Sequence, residues 1–373
     1  MEKLGRKIVR FRIPIFIIGL LLLIPSVFGY INTRVNYDVL YYLPDSIETM
    51  QGQDILVDEF GTGAYSMFIC EGMENKDVAK LKEQIEDVEH VSKVVWYDSF
   101  ADISIPMEML PEDIREAFNA DDSTLMFIIF DTTTSADETM DAIENIRALA
   151  GKQCFLSGMS AIVTDTKNLA ESEVAIYVLI AVVLSCIVLA LTMESYLIPV
   201  FFLLSIGMAI LYNMGTNLFL GEISYLTQAL VAILQLGVTM DYSIFLLDSF
   251  EENKKRFPGD KNRAMGHAIS NTFKSIVSSS ITTVAGFAAL CLMTFALGKN
   301  LGIVMAKGVI IGVICCVTLL PAIILIFDPL IEKTKHKPLI KNTNRLSGFI
   351  IRHYKIWLAV FCIGLLPAVY GNN

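Results

Sequence analysis

One carboxyl group inside an apolar segment is the residue of this sequence best placed to do chemistry. Asp241 lies within Gly-Val-Thr-Met-Asp-Tyr-Ser, residues 237–243, in an apolar run over residues 225–247. An ionisable side chain at the centre of a membrane helix costs at least ~2.5–3.5 kcal/mol, so it usually has a function or a partner. A rise of about 1.5 Å per residue from Asp248 puts Asp241 about 10 Å into the bilayer. Such a carboxyl group can take up a proton on one side and release it on the other.

Polar residues surround Asp241 on its own predicted helix. Gly237 and Asp241 share a face at a spacing of four, and a seven-spaced polar row runs beside them. That row consists of Gln228, Gln235, Tyr242 and Ser249. A polar sector of this width predicts that the helix faces protein or water at this depth rather than lipid.

The next apolar run supplies hydroxyl groups at about the depth of Asp241. They belong to Ser275, Ser278, Ser279, Ser280, Thr282 and Thr283. Hydroxyls donate to a carboxylate and accept from a carboxylic acid, so we expect Ser279, Thr282 and Thr283 to support Asp241. Two interpretations stay open. Asp241 is either a proton carrier, for which one charge yields ~2.3 kcal/mol per 100 mV, or a structural hydrogen-bonding group between two helices. Lys307, the other intramembrane charge, is expected to reach the outer surface.

The elements that position these residues are membrane-spanning helices. The chain has 373 residues, of which 54% are hydrophobic and 18% charged, with a mean hydropathy of +0.56. A soluble domain has about 45–50% apolar and about 25% charged residues, so the composition argues against a disordered, nucleic-acid-binding or soluble two-domain protein. Apolar runs approach the ~20 residues that span a bilayer. They cover residues 13–30, 174–191, 198–219, 225–247, 276–297 and 302–327, with a shorter run at 356–370.

The charges divide the chain between two compartments. Residues 32–172 contain 9 Lys and Arg against 28 Asp and Glu, a net charge of −19. Basic residues cluster before the first run, between the fourth and fifth runs, and in residues 332–355 after the sixth. Because basic segments beside membrane helices favour the cytoplasm, we predict a cytoplasmic N-terminus and an extracytoplasmic domain over residues 32–172. Residues 1–31, which carry the basic start and first span, are expected to be an uncleaved anchor rather than a signal peptide.

The acidic segment changes to the periodicity of an α+β domain. Strands are predicted at residues 64–70, 91–97, 125–131 and 153–159, with helices at 76–89 and 136–150. This order of strand-helix-strand twice over is that of a ferredoxin-like unit. Its first and fourth strands would lie side by side and bring Cys70 close to Cys154, so a disulfide between them is one outcome to test. The five other cysteines lie in apolar runs and are interpreted as small hydrophobic residues.

The first and last apolar runs resemble each other. Arg10 and Arg352 are 342 residues apart, and so are Pro25 and Pro367, while residues 25–29 (PSVFG) correspond to 367–371 (PAVYG). This register favours a duplication in which residues 356–373 begin a second copy. We therefore expect the chain to be the first half of a protein about twice its length.

Several segments together resemble the MMPL family of the RND superfamily. Residues 237–252, with Asp241-Tyr242 and Glu251-Glu252, are similar to the family's fourth-helix motif. Residues 282–287 (TTVAGF) resemble its fifth helix and residues 318–322 (TLLPA) the end of its sixth. The entry to the family's porter domain is similar to Leu43-Pro44 and to residues 59–61 (EFG). The resemblance covers nearly the whole chain.

The resemblance implies a polytopic α-helical, RND-type half-transporter with an extracytoplasmic ferredoxin-like porter domain and a bundle over residues 173–331. It further implies proton-driven export or flipping of lipids or other hydrophobic molecules across the cell membrane, with Asp241 and Tyr242 as the proton relay. Its expected partners are protons, membrane lipids or hydrophobic small molecules, and a missing C-terminal half or a second copy. We expect no nucleic acid, cofactor, metal or enzymatic activity. Two rivals remain: a non-transporting lipid- or sterol-sensing protein, and a SecDF-like helper of protein export.

Overall fold

The computed structural model describes residues 2–38, 40–60, 64–102, 105, 109, 111–336 and 344–370. Six helices in this part are long and apolar enough to cross a membrane. They are α2 (Arg12–Asn32), α7 (Met159–Thr192), α8 (Leu197–Gly215), α9 (Tyr225–Arg256), α10 (Lys261–Leu290) and α11 (Ala296–Lys333). Each covers all or most of one of the six long apolar runs, because an apolar segment satisfies its backbone polar groups internally only as a helix. The chain is a multi-pass membrane protein.

The predicted end of the fifth apolar run is wrong. The sequence predicts a span up to residue 297, but α10 ends at Leu290 and α11 begins at Ala296. The backbone N–H of Cys291 bonds to the carbonyl groups of Ala288 and Ala289, which closes the helix. Because the turn between the helices also contains apolar side chains, hydropathy alone does not reveal it. Lys299 therefore lies in the first turn of α11.

The bundle is held together by close helix crossings. Helices α8 and α11 are the most buried of the six spans. Gly29 of α2 packs against the backbone of Gly215 in α8, and a Cβ atom at either glycine would overlap the other helix. Tyr212 of α8 donates its hydroxyl to the carbonyl oxygen of Gly19 in α2 at 2.6 Å. Small residues at such crossings let membrane helices approach without a hydrophobic driving force between them.

Between α2 and α7 lies a domain built on one antiparallel sheet. Its strands are β2 (Ala64–Glu71), β3 (Val91–Val95), β5 (Ser123–Phe130) and β6 (Cys154–Ser157), with β4 (Asn119–Ala120) beside β5. The spatial order is β3-β5-β2-β6. Alternate residues of β2 and β5 are buried, and they pack with the apolar faces of α4 (Asn75–Glu86) and α6 (Asp137–Leu149) into a separate core. Two further helices, α3 (Glu48–Phe60) and α5 (Glu112–Phe118), belong to the same segment of the chain.

A short parallel pair of strands connects this domain to the membrane helices. Strand β1 (Arg34–Asn36) follows α2 and pairs with β7 (Glu222–Ser224), which precedes α9. Tyr37 stacks on Tyr225, with ring centroids 5.6 Å apart, and its hydroxyl lies 3.3 Å from a carboxylate oxygen of Glu171 in α7. Burial, followed by the nearby Glu171 carboxylate, raises the pKa of Tyr37. The first span therefore enters the domain beside the start of α9, the helix that carries Asp241.

The terminal helices repeat at the spacing seen in the sequence. Helix α1 (Glu2–Arg10) precedes α2, and α12 (Asn344–Arg352) precedes α13 (Tyr354–Tyr370). Both members of the second pair begin 342 residues after their counterparts, and Pro25 and Pro367 lie inside the corresponding helices. Gly371 and residues 337–343 of the predicted linker lie outside the described residues.

Candidate functional site

Helix α9 carries two polar faces rather than one broad sector. Gln235, Thr239 and Ser243 point into the bundle and are at most 2% exposed. Gly237 and Asp241 lie on the exposed face of the same helix. Tyr242 is 3% exposed and packs in the main core of the bundle. The Asp-Tyr pair is therefore divided between an exposed carboxyl group and a buried ring.

The inward face forms a hydrogen-bonded seam across three helices. The side-chain amide of Asn213 in α8 donates to Oε1 of Gln235 at 2.9 Å. Gln235 donates in turn to the carbonyl oxygen of Gly308 in α11 at 3.1 Å. Thr239 donates to the carbonyl oxygen of Gln235 at 2.6 Å. These groups are buried, and a buried polar group without a partner costs about 1–3 kcal/mol. The seam therefore fixes the position of α9 against α8 and α11.

Two glycines of α11 make room for this seam. A Cβ atom at Gly308 would lie 2.5 Å from Nδ2 of Asn213 and 2.9 Å from Oε1 of Gln235. A Cβ atom at Gly312, one turn further along, would overlap Cγ2 of Thr239. The spacing of four places both glycines on one face of α11. Gln235, which the sequence places in the polar row beside Asp241, thus bonds to α8 and α11.

Lys307 lies next to the seam and has a specific partner. Its ammonium group donates to Oδ1 of Asn217 at 2.6 Å, and Asn217 is fully buried in the 3-10 turn that follows α8. The sequence predicts that Lys307 reaches the outer surface, but the structure gives it an amide partner within the protein. Asn213 and Asn217 were missed by the sequence analysis. Two asparagines in an apolar run are the signal that could have found them, because buried amides need partners.

The carboxyl group of Asp241 is exposed on the outward face of α9. Nothing lies within 4 Å of a Cβ atom built on Gly237, and Phe245, one turn beyond Asp241, is 57% exposed. Among the described residues, no hydrogen bond or ion pair involves Asp241. The spacing argument that placed Gly237 and Asp241 on one face agrees with the structure.

The hydroxyl groups of α10 do not reach Asp241. Thr282 and Thr283 both donate to the carbonyl oxygen of Ser279 in their own helix, at 2.7 and 3.1 Å. Ser279 and Thr282 are exposed. Serine and threonine hydroxyls return to the preceding turn of a helix when no other acceptor is near. The structure thus shows small and polar residues on open faces of two neighbouring helices, without hydrogen bonds between Asp241 and Ser279, Thr282 or Thr283.

A second charged cluster lies at the other end of α11. Lys261, at the start of α10, contacts the carboxylate of Asp328 and lies 2.8 Å from Oε1 of Glu332. Asp328 is 5% exposed. The predicted sixth run ends at residue 327, one residue before this carboxylate. The ion pairs join α10 to α11 close to the loop that follows α9.

In the α+β domain, Cys70 and Cys154 face each other across β2 and β6. They are direct partners in the sheet register, and their sulfur atoms are 3.7 Å apart as free thiols. Burial, followed by the neighbouring Cys154, raises the pKa of Cys70 to about 12. The predicted proximity agrees with the structure, and the disulfide itself stays a prediction. Within the described residues, no group of three or more His, Cys, Asp or Glu side chains is arranged to hold a metal ion.

These features define a class of protein: a multi-pass membrane protein with an α+β domain inserted between its first two spans and a polar fourth span. A model of the MMPL family matches residues 72–352. The chain belongs to the MMPL family.

The chain is also similar to several individual proteins. The chain is 26% identical over 366 residues to the putative membrane protein MJ1562 of Methanocaldococcus jannaschii, covering 86% of this chain and 94% of the relative. It is 25% identical over 342 residues to the apo-petrobactin exporter of Bacillus anthracis, covering 84% of this chain and 44% of the exporter. The crystal structure of SecDF, a translocon-associated membrane protein from Thermus thermophilus, superimposes with a TM-score of 0.48 and 16% identity. That match covers 86% of this chain and 38% of SecDF.

Proposed function

We propose that this chain is half of a proton-driven transporter that exports or flips hydrophobic molecules, including lipids. The exposed carboxyl group of Asp241 in the apolar span α9 is the observation that carries the proposal. A carboxylate at this depth is expensive unless it is used or paired. The relative described as an apo-petrobactin exporter supports export as the activity of this family member.

The proposal assigns different roles to the two residues of the relay. Asp241 binds and releases the proton, because it is the ionisable group that a water-filled space beside α9 would reach. Tyr242 is packed in the core and positions this part of α9 through its buried ring. The seam of Asn213, Gln235 and Gly308 holds the helix while Asp241 changes its protonation state.

The same proposal gives the α+β domain the role of a ferredoxin-like porter on the extracytoplasmic side. Numbered within the domain, its four long strands lie in the order 4-1-3-2, with helices connecting the first to the second and the third to the fourth. This order supports a ferredoxin-like fold. The basic residues at the opposite end of the bundle support a cytoplasmic N-terminus.

A second polypeptide surface is required by this proposal. Asp241 and the exposed hydroxyls of Ser279 and Thr282 would otherwise face acyl chains, which offer them no hydrogen bonds. We infer that either the second half of a longer protein or a second copy of this chain covers the open faces of α9 and α10. The covering surface would complete the proton path.

Substitution of Asp241 tests the proposed proton coupling. Inverted membrane vesicles containing the full chain should accumulate a lipophilic fluorescent dye when an imposed pH gradient is present. Asp241→Asn keeps the size of the side chain and removes its titration. It should reduce gradient-dependent uptake to the level of vesicles without the protein. Glu252→Gln, a matched change at an exposed carboxylate near the end of α9, should retain the activity.

Three results would count against the proposal. Equal uptake by the Asp241→Asn variant and the unmodified chain would show that this carboxyl group does not carry the proton. Dye binding without flux in the unmodified chain would favour the lipid-sensing alternative. Co-purification with a protein translocation channel, again without flux, would favour the export-helper alternative.

A further inference from the structure

A cavity lies at the end of the bundle opposite the α+β domain. It measures about 810 Å³ and is formed by α1, the start of α2 and the start of α10. Its charged lining residues are Arg6, Arg10, Arg12, Asp260, Arg263 and His267. It is separate from the polar seam and from the exposed face of Asp241.

The crossing of α1 over α10 creates this cavity. Gly5 of α1 is in backbone contact with Gly266 of α10, and a side chain at Gly5 would overlap that backbone. The guanidinium group of Arg12 donates to Oδ1 of Asn262 at 2.6 Å, which ties the first turn of α2 to the first turn of α10. The crossing of α1 and α10 therefore places the arginines at the ends of α1, α2 and α10 around the cavity.

The charge of the cavity is strongly positive. Four guanidinium groups line it against the single carboxylate of Asp260. That carboxylate caps α10 by accepting from the backbone N–H of Arg263 at 2.9 Å. The cavity also lies at the N-terminal end of α10, where the helix dipole favours an anion. Planar guanidinium groups bind phosphate oxygens in a bidentate manner.

The aromatic residues at the rim hold one of these arginines in place. The guanidinium carbon of Arg263 lies 4.5 Å from the ring centroid of Phe257, and the ring of Phe257 stacks on that of His267 with centroids 4.9 Å apart. A cation held over an aromatic face loses less conformational freedom when it binds a ligand.

One side of the cavity continues into an apolar surface. Val9 and Ile13 belong to its lining. Beyond Ile13, an exposed apolar ridge follows α2 at helical spacing through Ile17, Leu20 and Ile24. A ligand that fills the site therefore needs a phosphate-bearing polar end and a long apolar end. Free phosphate would use only the first of these features.

We infer that this cavity binds the phosphate headgroup of an anionic membrane lipid, with its acyl chains along α2. Basic pockets between membrane helices recognise such headgroups through charge and hydrogen bonding together. The inference is independent of the transport proposal, because the lipid is assigned to a site that shares no residue with the proton path.

Lipid binding by the purified full chain tests this site. Native mass spectrometry would count the phosphatidylglycerol molecules bound to each chain. The midpoint of thermal unfolding would be measured with added phosphatidylglycerol, phosphatidylcholine or inorganic phosphate. A ligand that binds the folded state raises that midpoint. The triple variant Arg6→Gln, Arg10→Gln, Arg263→Gln should weaken phosphatidylglycerol binding at least tenfold and lose the thermal shift.

The matched control removes the same number of charges from the same end of the molecule. Lys3, Lys7 and Lys255 are exposed and do not line the cavity. Their triple replacement by glutamine should retain phosphatidylglycerol binding and the thermal shift. An equal loss in both variants would overturn the inference in favour of general surface charge. Equal stabilisation by phosphatidylcholine or by inorganic phosphate alone would overturn the assignment of an anionic lipid.

If the triple variant does not fold, single substitutions keep the inference testable. Arg10→Gln alone should weaken phosphatidylglycerol binding more than Lys7→Gln alone, although both residues are on α1. Equal effects of these two substitutions would contradict a defined site.

Discussion

At the scale of single residues, α9 separates buried hydrogen-bonding groups from an exposed carboxyl group. Gln235 and Thr239 bond within the bundle, whereas Asp241 is exposed. The sequence predicted Gln235 and Asp241 as parts of one polar sector, since a spacing of four or seven residues identifies neighbours on a helix but not what covers them. The division matters for mutagenesis, because substitutions of the inward residues should change stability and those of the outward residues should change activity.

Gly308→Ala should destabilise the bundle. The added methyl group would lie 2.5 Å from Nδ2 of Asn213 and 2.9 Å from Oε1 of Gln235, so it must displace their hydrogen bond. Overpacking of this kind costs typically ~1–3 kcal/mol. The thermal midpoint of the purified chain should fall, as followed by intrinsic fluorescence. Gly286→Ala on α10 is the control, because nothing lies within 4 Å of its added atom. Equal midpoints for the two variants would contradict the seam.

At the scale of elements, the pairing of β2 with β6 decides the environment of two thiols. Cys70 is 1% exposed, whereas Cys154 is partly exposed. The pairing of these strands was expected from the order of elements, but the burial of Cys70 depends on the helices that cover the sheet. Thiolate is the reactive form, so a buried thiol with a raised pKa reacts slowly at neutral pH.

Alkylation of the native protein should therefore distinguish the two cysteines. Iodoacetamide should modify Cys154 first at pH 7, and modification of Cys70 should increase as the pH rises toward about 12. Peptide mass spectrometry at several pH values measures both rates. After mild oxidation, a linked peptide pair that disappears on reduction would establish the predicted disulfide. Rapid labelling of Cys70 at pH 7 would contradict its burial.

At the scale of the whole molecule, the open faces of α9 and α10 combine apolar with small and polar residues. Phe245 and Ile281 are exposed on these helices. The small and polar residues beside them suit contact with another helix better than contact with lipid. They include Gly237, Asp241, Ser275, Ser279, Thr282 and Gly286. The relatives differ in length, since the chain covers 94% of MJ1562 but 44% of the apo-petrobactin exporter. They are therefore compatible with a covering surface from a second copy of the chain or from the second half of a longer protein.

A cysteine at Gly237 tests whether two copies of this chain pair through these faces. The position is open, and a side chain there meets nothing within 4 Å. In a background where exposed Cys362 is replaced by serine, Gly237→Cys should give an oxidant-dependent dimer on a non-reducing gel of native membranes. Leu184→Cys, at a 57% exposed position on α7, should remain monomeric. Equal crosslinking at both positions, or none at Gly237→Cys, would exclude a second copy on this face.

The sequence alone determined the local architecture of this protein. Each of the six predicted spans falls wholly or mostly within one helix, and the four long strands of the α+β domain begin and end within two residues of their predicted positions. Hydrophobic period and run length are properties of adjacent residues, so they are visible in the chain. The end of α10 was the clearest error, because the turn near Cys291 is as apolar as the helices around it.

Tertiary structure decided which polar groups meet. The seam joins residues of three helices: Asn213, Gln235 and Gly308. The basic cavity brings Arg263 together with arginines that lie more than 250 residues earlier in the chain. Similarly, only the packing of the bundle shows that Tyr242 is buried and Asp241 exposed. The physical reason is that a helix fixes the angle between its own side chains, while burial and hydrogen bonding depend on neighbours that are distant in sequence.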